Sequence, residues 1–207
     1  MRVADAASIH DLAALGRRRL PDVIWDFLDG GAEDEVTIGW NLAAFRAHRF
    51  RPNVLAGNGR RDLAIDLFGT RLAAPFMIGP TGLNGICWPD ADLHLAAAAA
   101  QAGIALALST AANNSIEQVG ALAARMRFFQ ICPPGDRASS ARLIERAAAA
   151  NYLGLILTVD SLIAGNRERD VHNWFAHVVT ISPHRARSPA SSILARLDLD
   201  PARNAAA

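Results

Sequence analysis

Lysine is absent from the 207 residues, so all 21 basic side chains are arginines, and against 20 acidic residues they leave a formal charge of +1. A chain so nearly neutral projects no basic field, which excludes general nucleic-acid or polyanion binding as its role. Cysteine is almost absent too. Cys87 and Cys132 stand far apart without metal-type spacing, which excludes a cysteine-held metal and fits reduced thiols in a cytoplasmic setting. No apolar run approaches the ~18 residues that span a bilayer, and the opening MRVADAASIHDLAALGRRR lacks the apolar stretch and cleavage site of a secretory signal. The phosphate-cradling patterns G-x-G-x-x-G and G-x-x-x-x-G-K follow none of the candidate strands, which takes weight from the common nucleotide-binding folds.

What is present is globular. With 51% hydrophobic and 20% charged residues the chain has the composition for one ordinary core. Residues 8–20 and 22–29 carry apolar residues at helical spacing, with Pro21 suited to a first helical turn and Gly30-Gly31 to an end. A third helix is expected over 35–47, where Val36, Trp40, Ala43, Ala44 and Ala47 can share a stripe. Together these make an N-terminal helical extension over 1–62.

From Leu63 the pattern changes. A short β-like run, LAIDLF (63–68), precedes four apolar segments at 75–80, 104–109, 127–132 and 153–159, spaced by roughly two dozen residues as in β/α units. Helices are expected between them: 90–102, opening at Asp90 and stopping at Gly103; 115–125, opening on the capping box Ser115-Ile116-Glu117-Gln118; and 139–150, opening near Ser139. Strands that read as continuous apolar runs are buried on both faces, so a parallel sheet covered by helices is favoured. A doubly wound sheet and a β/α barrel both fit this order. Residues 177–207 read as an irregular tail with at most a helical turn at 191–197.

In parallel β/α folds ligands bind at the carboxyl ends of the strands. Those ends are Pro80-Thr81-Gly82, Ser109-Thr110, Gln130 with Cys132, and Thr158 with Asp160. Such small hydroxyl and amide groups suit a planar cofactor with a polar edge, and equally suit capping and loop turns. The charged run Gly165-Asn166-Arg167-Glu168-Arg169-Asp170 is either a carboxylate clamp or a solvated loop.

The segments DFLDGGAEDE (26–35), IGPTGLNGICWP (78–89), AGIALALSTAANNSIEQV (102–119), RFFQI (127–131), LTVD (157–160) and GNRERDVHNWF (165–175) resemble, in order and spacing, the FMN-dependent 2-hydroxy-acid dehydrogenase and oxidase family, nearest to its mandelate-oxidising members. The likeness covers about residues 8–176. It implies an α/β fold, an incomplete TIM-type (β/α) barrel of about four β/α units after the helical extension, with 63–176 as the first half of an FMN-binding barrel. By the same resemblance the backbone of Pro80, Thr81 and Gly82 would meet the flavin's N5 and O4 edge. Ser109, Gln130 and Thr158 would hydrogen-bond the ring system, and Arg167 would face a small 2-hydroxy-acid substrate that is oxidised to a 2-oxo acid.

Two tyrosines that touch substrate in the family are replaced here by Phe27 and Cys132, and the one tyrosine, Tyr152, stands where it replaces neither. The family's flavin-facing Lys, His base, second carboxylate-binding Arg and phosphate grip belong to later strands. None of the six histidines sits in a matching motif, so no catalytic residue is expected in this chain. A whole barrel takes ~250 residues. The expectation is therefore a truncated enzyme, inactive alone, or a non-catalytic half-barrel that pairs with itself or with a separate second half. In mandelate-oxidising members an insertion after the fourth strand supports membrane association, and 177–207 falls there, so peripheral contact with the inner membrane face is a further expectation.

Overall fold

A computed structural model describes residues 2–55, 57, 59, 61–122, 126–133, 135–160 and 165–175. The elements in order are α1 (Ile9–Arg17), α2 (Asp22–Asp29), α3 (Val36–Ala47), β1 (Ile65–Leu67), β2 (Thr70–Leu72), β3 (Met77–Ile78), α4 (Ala91–Ala102), β4 (Ala105–Ser109), α5 (Ile116–Gly120), β5 (Arg127–Ile131), α6 (Arg137–Ala149), β6 (Gly154–Leu157) and α7 (Glu168–His172). They fall into two compact units: 2–55 with 165–175, and 57–160.

In the first unit α1 opens on a capping box. Asp11 N donates to Ser8 Oγ at 3.2 Å and Ser8 N donates back to Asp11 Oδ2 at 3.0 Å, which satisfies amides that the first turn leaves over. Pro21 caps α2 with its ring-fixed backbone, and Gly30 ends it. A Cβ on Gly30 would stand 2.6 Å from the Asp26 carbonyl oxygen. Helix α3 forms as its spacing predicts but buries no residue: Val36 and Trp40 are 50% and 69% exposed. Its apolar side chains divide between two faces, Val36 and Trp40 against Leu42 and Phe45, so no single stripe has a core to enter. The charged run 165–170 enters the short helix α7 and is no simple loop. Arg169 is held by ion pairs to Asp26 and Asp29 of α2, a tertiary effect outside the reach of local pattern.

In the second unit the β-like run at 63–68 becomes one arm of an antiparallel hairpin, β1 with β2, in the register Ile65↔Leu72 and Leu67↔Thr70. Phe68 and Gly69 turn it with φ of 46° and 75°, the left-handed pair that a tight two-residue hairpin needs. The arm Thr70–Leu72 is not signalled by the pattern, because three residues with Arg71 in the middle carry no apolar period. Leu72 packs with Ala105 and Met126 against the end of the main sheet.

That sheet has strand order β3-β4-β5-β6, and its three pairings are all parallel. Leu106, Leu108, Phe129 and Ile131 face helices and pack with Ala96 and Ala99 of α4, Ile116 and Val119 of α5 and Ala147 of α6. Alanine at the α4 contact lets the helix axis approach the sheet, and each large side chain buried there contributes about 1.5–3 kcal/mol. All five residues of β4 are buried, as a central parallel strand requires. Edge strand β6 is different: Leu155 and Leu157, in register with Phe129 and Ile131, are 44% and 58% exposed.

Helix ends follow their caps. Gly103 closes α4 in the left-handed region, and Ser115 with Gln118 forms the expected box on α5. Helix α6 starts at Arg137, two residues before Ser139, because Asp136 Oδ1 accepts from Ser139 N at 2.6 Å and is the true cap. Residues 123–125 of the expected α5 and the tail 177–207 with its turn at 191–197 lie outside the described residues.

Candidate functional site

The carboxyl ends of β4, β5 and β6 are joined by a chain of side-chain hydrogen bonds. Gln130 Oε1 accepts from Ser109 Oγ at 3.0 Å and from the Thr110 amide at 3.2 Å, and Gln130 Nε2 donates to Thr158 Oγ1 at 2.6 Å. The parallel register puts them side by side, with Ser109 opposite Gln130 and Ile131 opposite Leu157. Thr110 adds a second clamp: its hydroxyl donates to the Gln130 carbonyl at 2.6 Å and accepts from the Cys132 amide at 3.0 Å.

This wiring fixes polarity. The Gln130 oxygen is used twice, so its amide nitrogen points toward Thr158 with one N–H left, and Thr158, having accepted, keeps its O–H to donate. Gln130 and Thr158 thus each keep one hydrogen to donate.

The segment after β3 offers donors as well. Among the described residues the Thr81 and Gly82 amides have no acceptor, while the Thr81 carbonyl accepts from Asn84 Nδ2 at 3.0 Å and Leu83 N donates to Ala111 O at 3.0 Å. Gly82 is needed for this docking, since a Cβ there would lie 2.8 Å from the Ala111 methyl. Pro80 and Thr81 are exposed. A Cβ on Gly79, just before them, would meet no atom within 4 Å, so there is open space beside the strand end. Uncommitted donors next to open space fit the acceptor-rich edge of a flavin ring.

Beneath this loop lies a polar cluster that sequence reasoning misses. Asp92, 3% exposed, accepts from Asn84 Nδ2 at 2.7 Å and from the Asn113 and Asn114 amides at 2.9 and 3.1 Å. An acid in an alanine-rich helix reads as a surface residue, and only the Asn113-Asn114 pair hints at partners.

Arg167 and Phe27 meet in the first unit. Arg167 Nη2 donates to the Phe27 carbonyl at 2.5 Å and Nε to Asp170 at 2.5 Å, with the guanidinium 5.4 Å from the Phe27 ring centre. Phe27 stacks on Phe175 at 4.3 Å. Arg169 pairs with Asp26, Asp29 and Glu35, and Asn173 Nδ2 donates to Asp26 at 2.7 Å. The Gly31 amide, then Arg169, holds the Glu35 carboxyl below its usual range. Among the described residues Arg167 Nη1 has no acceptor.

Cys132 is exposed after β5, and burial pushes the Cys87 thiol up, away from reactivity. Tyr152 is structural: its hydroxyl donates to Ile116 O at 3.1 Å and its ring meets Phe129 edge-on. Among the described residues no cluster could hold a metal ion and no helix is long and apolar enough to cross a membrane.

The family model described as FMN-dependent dehydrogenase matches residues 16–199. (S)-Mandelate dehydrogenase of Pseudomonas putida is 41% identical over 168 residues, covering 81% of this chain and 42% of that protein. Glycolate oxidase 5 of Oryza sativa subsp. japonica is 34% identical over 173 residues, covering 84% and 47%. The crystal structure of a monotopic membrane protein, (S)-mandelate dehydrogenase, superposes with a TM-score of 0.82 at 37% identity over 96% of this chain and 52% of its own. The chain spans about half the length of the curated relatives it matches. It belongs to the FMN-dependent dehydrogenase family, and its parallel strands with their helices are part of that family's β/α barrel.

Proposed function

We propose that this chain supplies the flavin-ring side of an FMN-dependent 2-hydroxy-acid dehydrogenase of the mandelate or lactate type. The observation that carries the proposal is the Ser109–Gln130–Thr158 chain across three adjacent strand ends, which leaves donors and no spare Gln130 oxygen. Bound FMN supplies the two-electron acceptor that turns a 2-hydroxy acid into a 2-oxo acid. Gln130 and Thr158, with Ser109 behind them, and the amides of the Pro80–Gly82 loop would hold the ring system. Arg167 would offer its remaining N–H groups to the substrate carboxylate, beside Phe27. Phe27 and Cys132 stand where the family has tyrosines, so two substrate hydrogen bonds are lost, each about 1–3 kcal/mol where the partner is left unmet.

The His base, the flavin-facing Lys and the phosphate grip have no counterpart in these 207 residues. We therefore expect no turnover by this chain by itself. The test is dye reduction by the purified chain with added FMN and mandelate or lactate: a rate at background supports the division of labour, and turnover at an enzyme's rate overturns it. Peripheral membrane contact is part of the proposal, supported by the monotopic relative: co-sedimentation with anionic vesicles is expected, and a chain that stays in the supernatant would contradict it.

A second reading has its own observation. Leu155 and Leu157 lie exposed on edge strand β6, and an apolar hollow of about 330 Å³, lined by Leu67, Phe68, Phe76, Met77 and Phe128 among others, opens in the same unit. On that reading the chain is a non-catalytic half-barrel that buries these surfaces against a second copy or a separately encoded half. A clean monomer in sedimentation, with cooperative melting, would contradict it.

A further inference from the structure

Asp92 has no place in the expected flavin or substrate contacts, yet it is among the most deeply buried charged groups described, at 3% exposure. A carboxylate is removed from water at a cost of several kcal/mol unless its oxygens are met. Here they are met by N–H groups alone. Oδ2 takes the amides of Asn113 and Asn114, and Oδ1 takes Asn84 Nδ2, while the first turn of α4, where Asp92 sits, favours negative charge.

The third bond reaches toward the site. The Asn84 amide nitrogen has two hydrogens, and both are committed, one to Asp92 at 2.7 Å and one to the Thr81 carbonyl at 3.0 Å. With the Thr81 oxygen used by Asn84, the Thr81–Gly82 peptide is fixed in orientation, which sets the direction of the Gly82 N–H, and among the described residues that N–H has no acceptor. The same loop is held from the side by Leu83 N to Ala111 O at 3.0 Å and Gly85 N to Asn113 Oδ1 at 2.7 Å, the second partner being the residue whose amide Asp92 holds. One buried acid thus ties the loop after β3 to the loop after β4.

We infer that Asp92, acting through Asn84, is a positioning residue that orients the Thr81–Gly82 peptide so that the Gly82 amide remains available to a flavin edge. The inference rests on the proposed reading of Pro80–Gly82 as flavin-facing. A purely structural role, joining α4 to the loop after β4, requires only the Asp92 bonds to Asn113 and Asn114. The two roles separate because the Thr81 link passes through Asn84.

Three variants of the full chain separate them. Asn84→Leu removes both Asn84 bonds and keeps Asp92 on its two amides. Asp92→Asn puts two donor groups face to face. The exchange Asp92→Asn with Asn84→Asp restores the bond between positions 84 and 92, with the amide now at position 92 donating, but the carboxylate now at position 84 has no N–H for Thr81. The first readout is amide hydrogen exchange at Leu83, against that at Leu106 and Leu108, with no flavin added. Both single variants are expected to speed Leu83 exchange at least about tenfold, and the double exchange to leave it fast while β4 keeps its protection. Unchanged Leu83 exchange in Asn84→Leu, or wild-type protection in the double exchange, would overturn the inference. The second readout is riboflavin fluorescence on titration with each chain. Weaker binding in all three variants supports the positioning role, and equal binding in Asn84→Leu contradicts it. If the wild-type chain binds no riboflavin, the flavin-facing reading fails, and the exchange data still decide whether Asp92 orients Thr81.

Discussion

Gln130 Nε2 stands 2.6 Å from Thr158 Oγ1, across the parallel pairing of β5 with β6. Gln130 Oε1 is held on its other side by Ser109 and the Thr110 amide, so the side chain has one orientation and the direction of donation is set through all three strand ends. A preset row of donors is what a ring with acceptor atoms along its edge would meet without reorganising the protein.

Tyr152 gives the cleanest check on the core, because it is the sole tyrosine. Burial pushes its phenol from 10.0 up to about 12. A raised pKa means that the stabilisation is complete below the unfolded value and is lost as pH climbs through the folded one, from about 10 to about 12. Tyrosinate absorbance should rise with a midpoint near 12 in the folded chain, and a midpoint near 10 would contradict the packing. Tyr152→Phe, which keeps the ring and removes only the hydroxyl's bond to the Ile116 carbonyl, should cost about 0.5–1.5 kcal/mol in denaturant unfolding.

Glu117 reports on the contact between α5 and α6. Its oxygens accept from Arg146 at 2.7 and 2.9 Å, and that bond leads the causes lowering its pKa from 4.5 to about 2. A lowered pKa gives stability that is present above 4.5 and lost as pH falls through about 2. Both side chains are about half exposed, so water screens the pair and Glu117→Gln should cost about 0.5 kcal/mol near neutrality. Chemical unfolding of both chains should show that difference shrinking to nothing by the acid end of the window.

Arg169 holds α7 on α2 through Asp26 and Asp29, and on the start of α3 through Glu35. Arg169→Ala should leave three carboxylates without their cation and speed amide exchange in 168–172, while exchange in β4 and β5 stays as it was. High salt should narrow the gap between the two chains, because these charges are partly exposed. Equal exchange in 168–172 would contradict the assignment.

The exposed face of β6 makes the chain's association testable. Leu155→Glu with Leu157→Glu places charge on that face without touching Gln130 or Thr158. If the face is buried between copies, the double variant should sediment as monomer where the wild type does not. An unchanged distribution would exclude β6 from the contact.

The parallel sheet is legible in the sequence because β4 and β5 are apolar runs bounded by capped helices: Gly103, and Ser115 with Gln118, announce helix ends by local chemistry alone. The hairpin arm at Thr70–Leu72 is not, since it exists through the backbone angles of Phe68-Gly69 and the burial of Leu72. Ser109, Gln130 and Thr158 are legible as polar residues at strand ends, but their mutual bonds depend on register. Asp92 is hidden because what makes it special is burial, and its partners at 113 and 114 are backbone amides that any residue provides.

As proposed, these residues form the ring side of a flavin site and contribute no phosphate grip. The decisive measurement titrates FMN and riboflavin, separately, with the purified wild-type chain and Gln130→Leu, and follows flavin fluorescence. Saturable quenching by the wild-type chain is expected, with similar affinity for the two flavins if, as proposed, no phosphate grip distinguishes them. Binding of both should weaken about tenfold or more in Gln130→Leu, which removes the donor and the Ser109 and Thr158 links together. No quenching by either flavin, or FMN binding that ignores Gln130 and far exceeds riboflavin binding, would contradict the proposal.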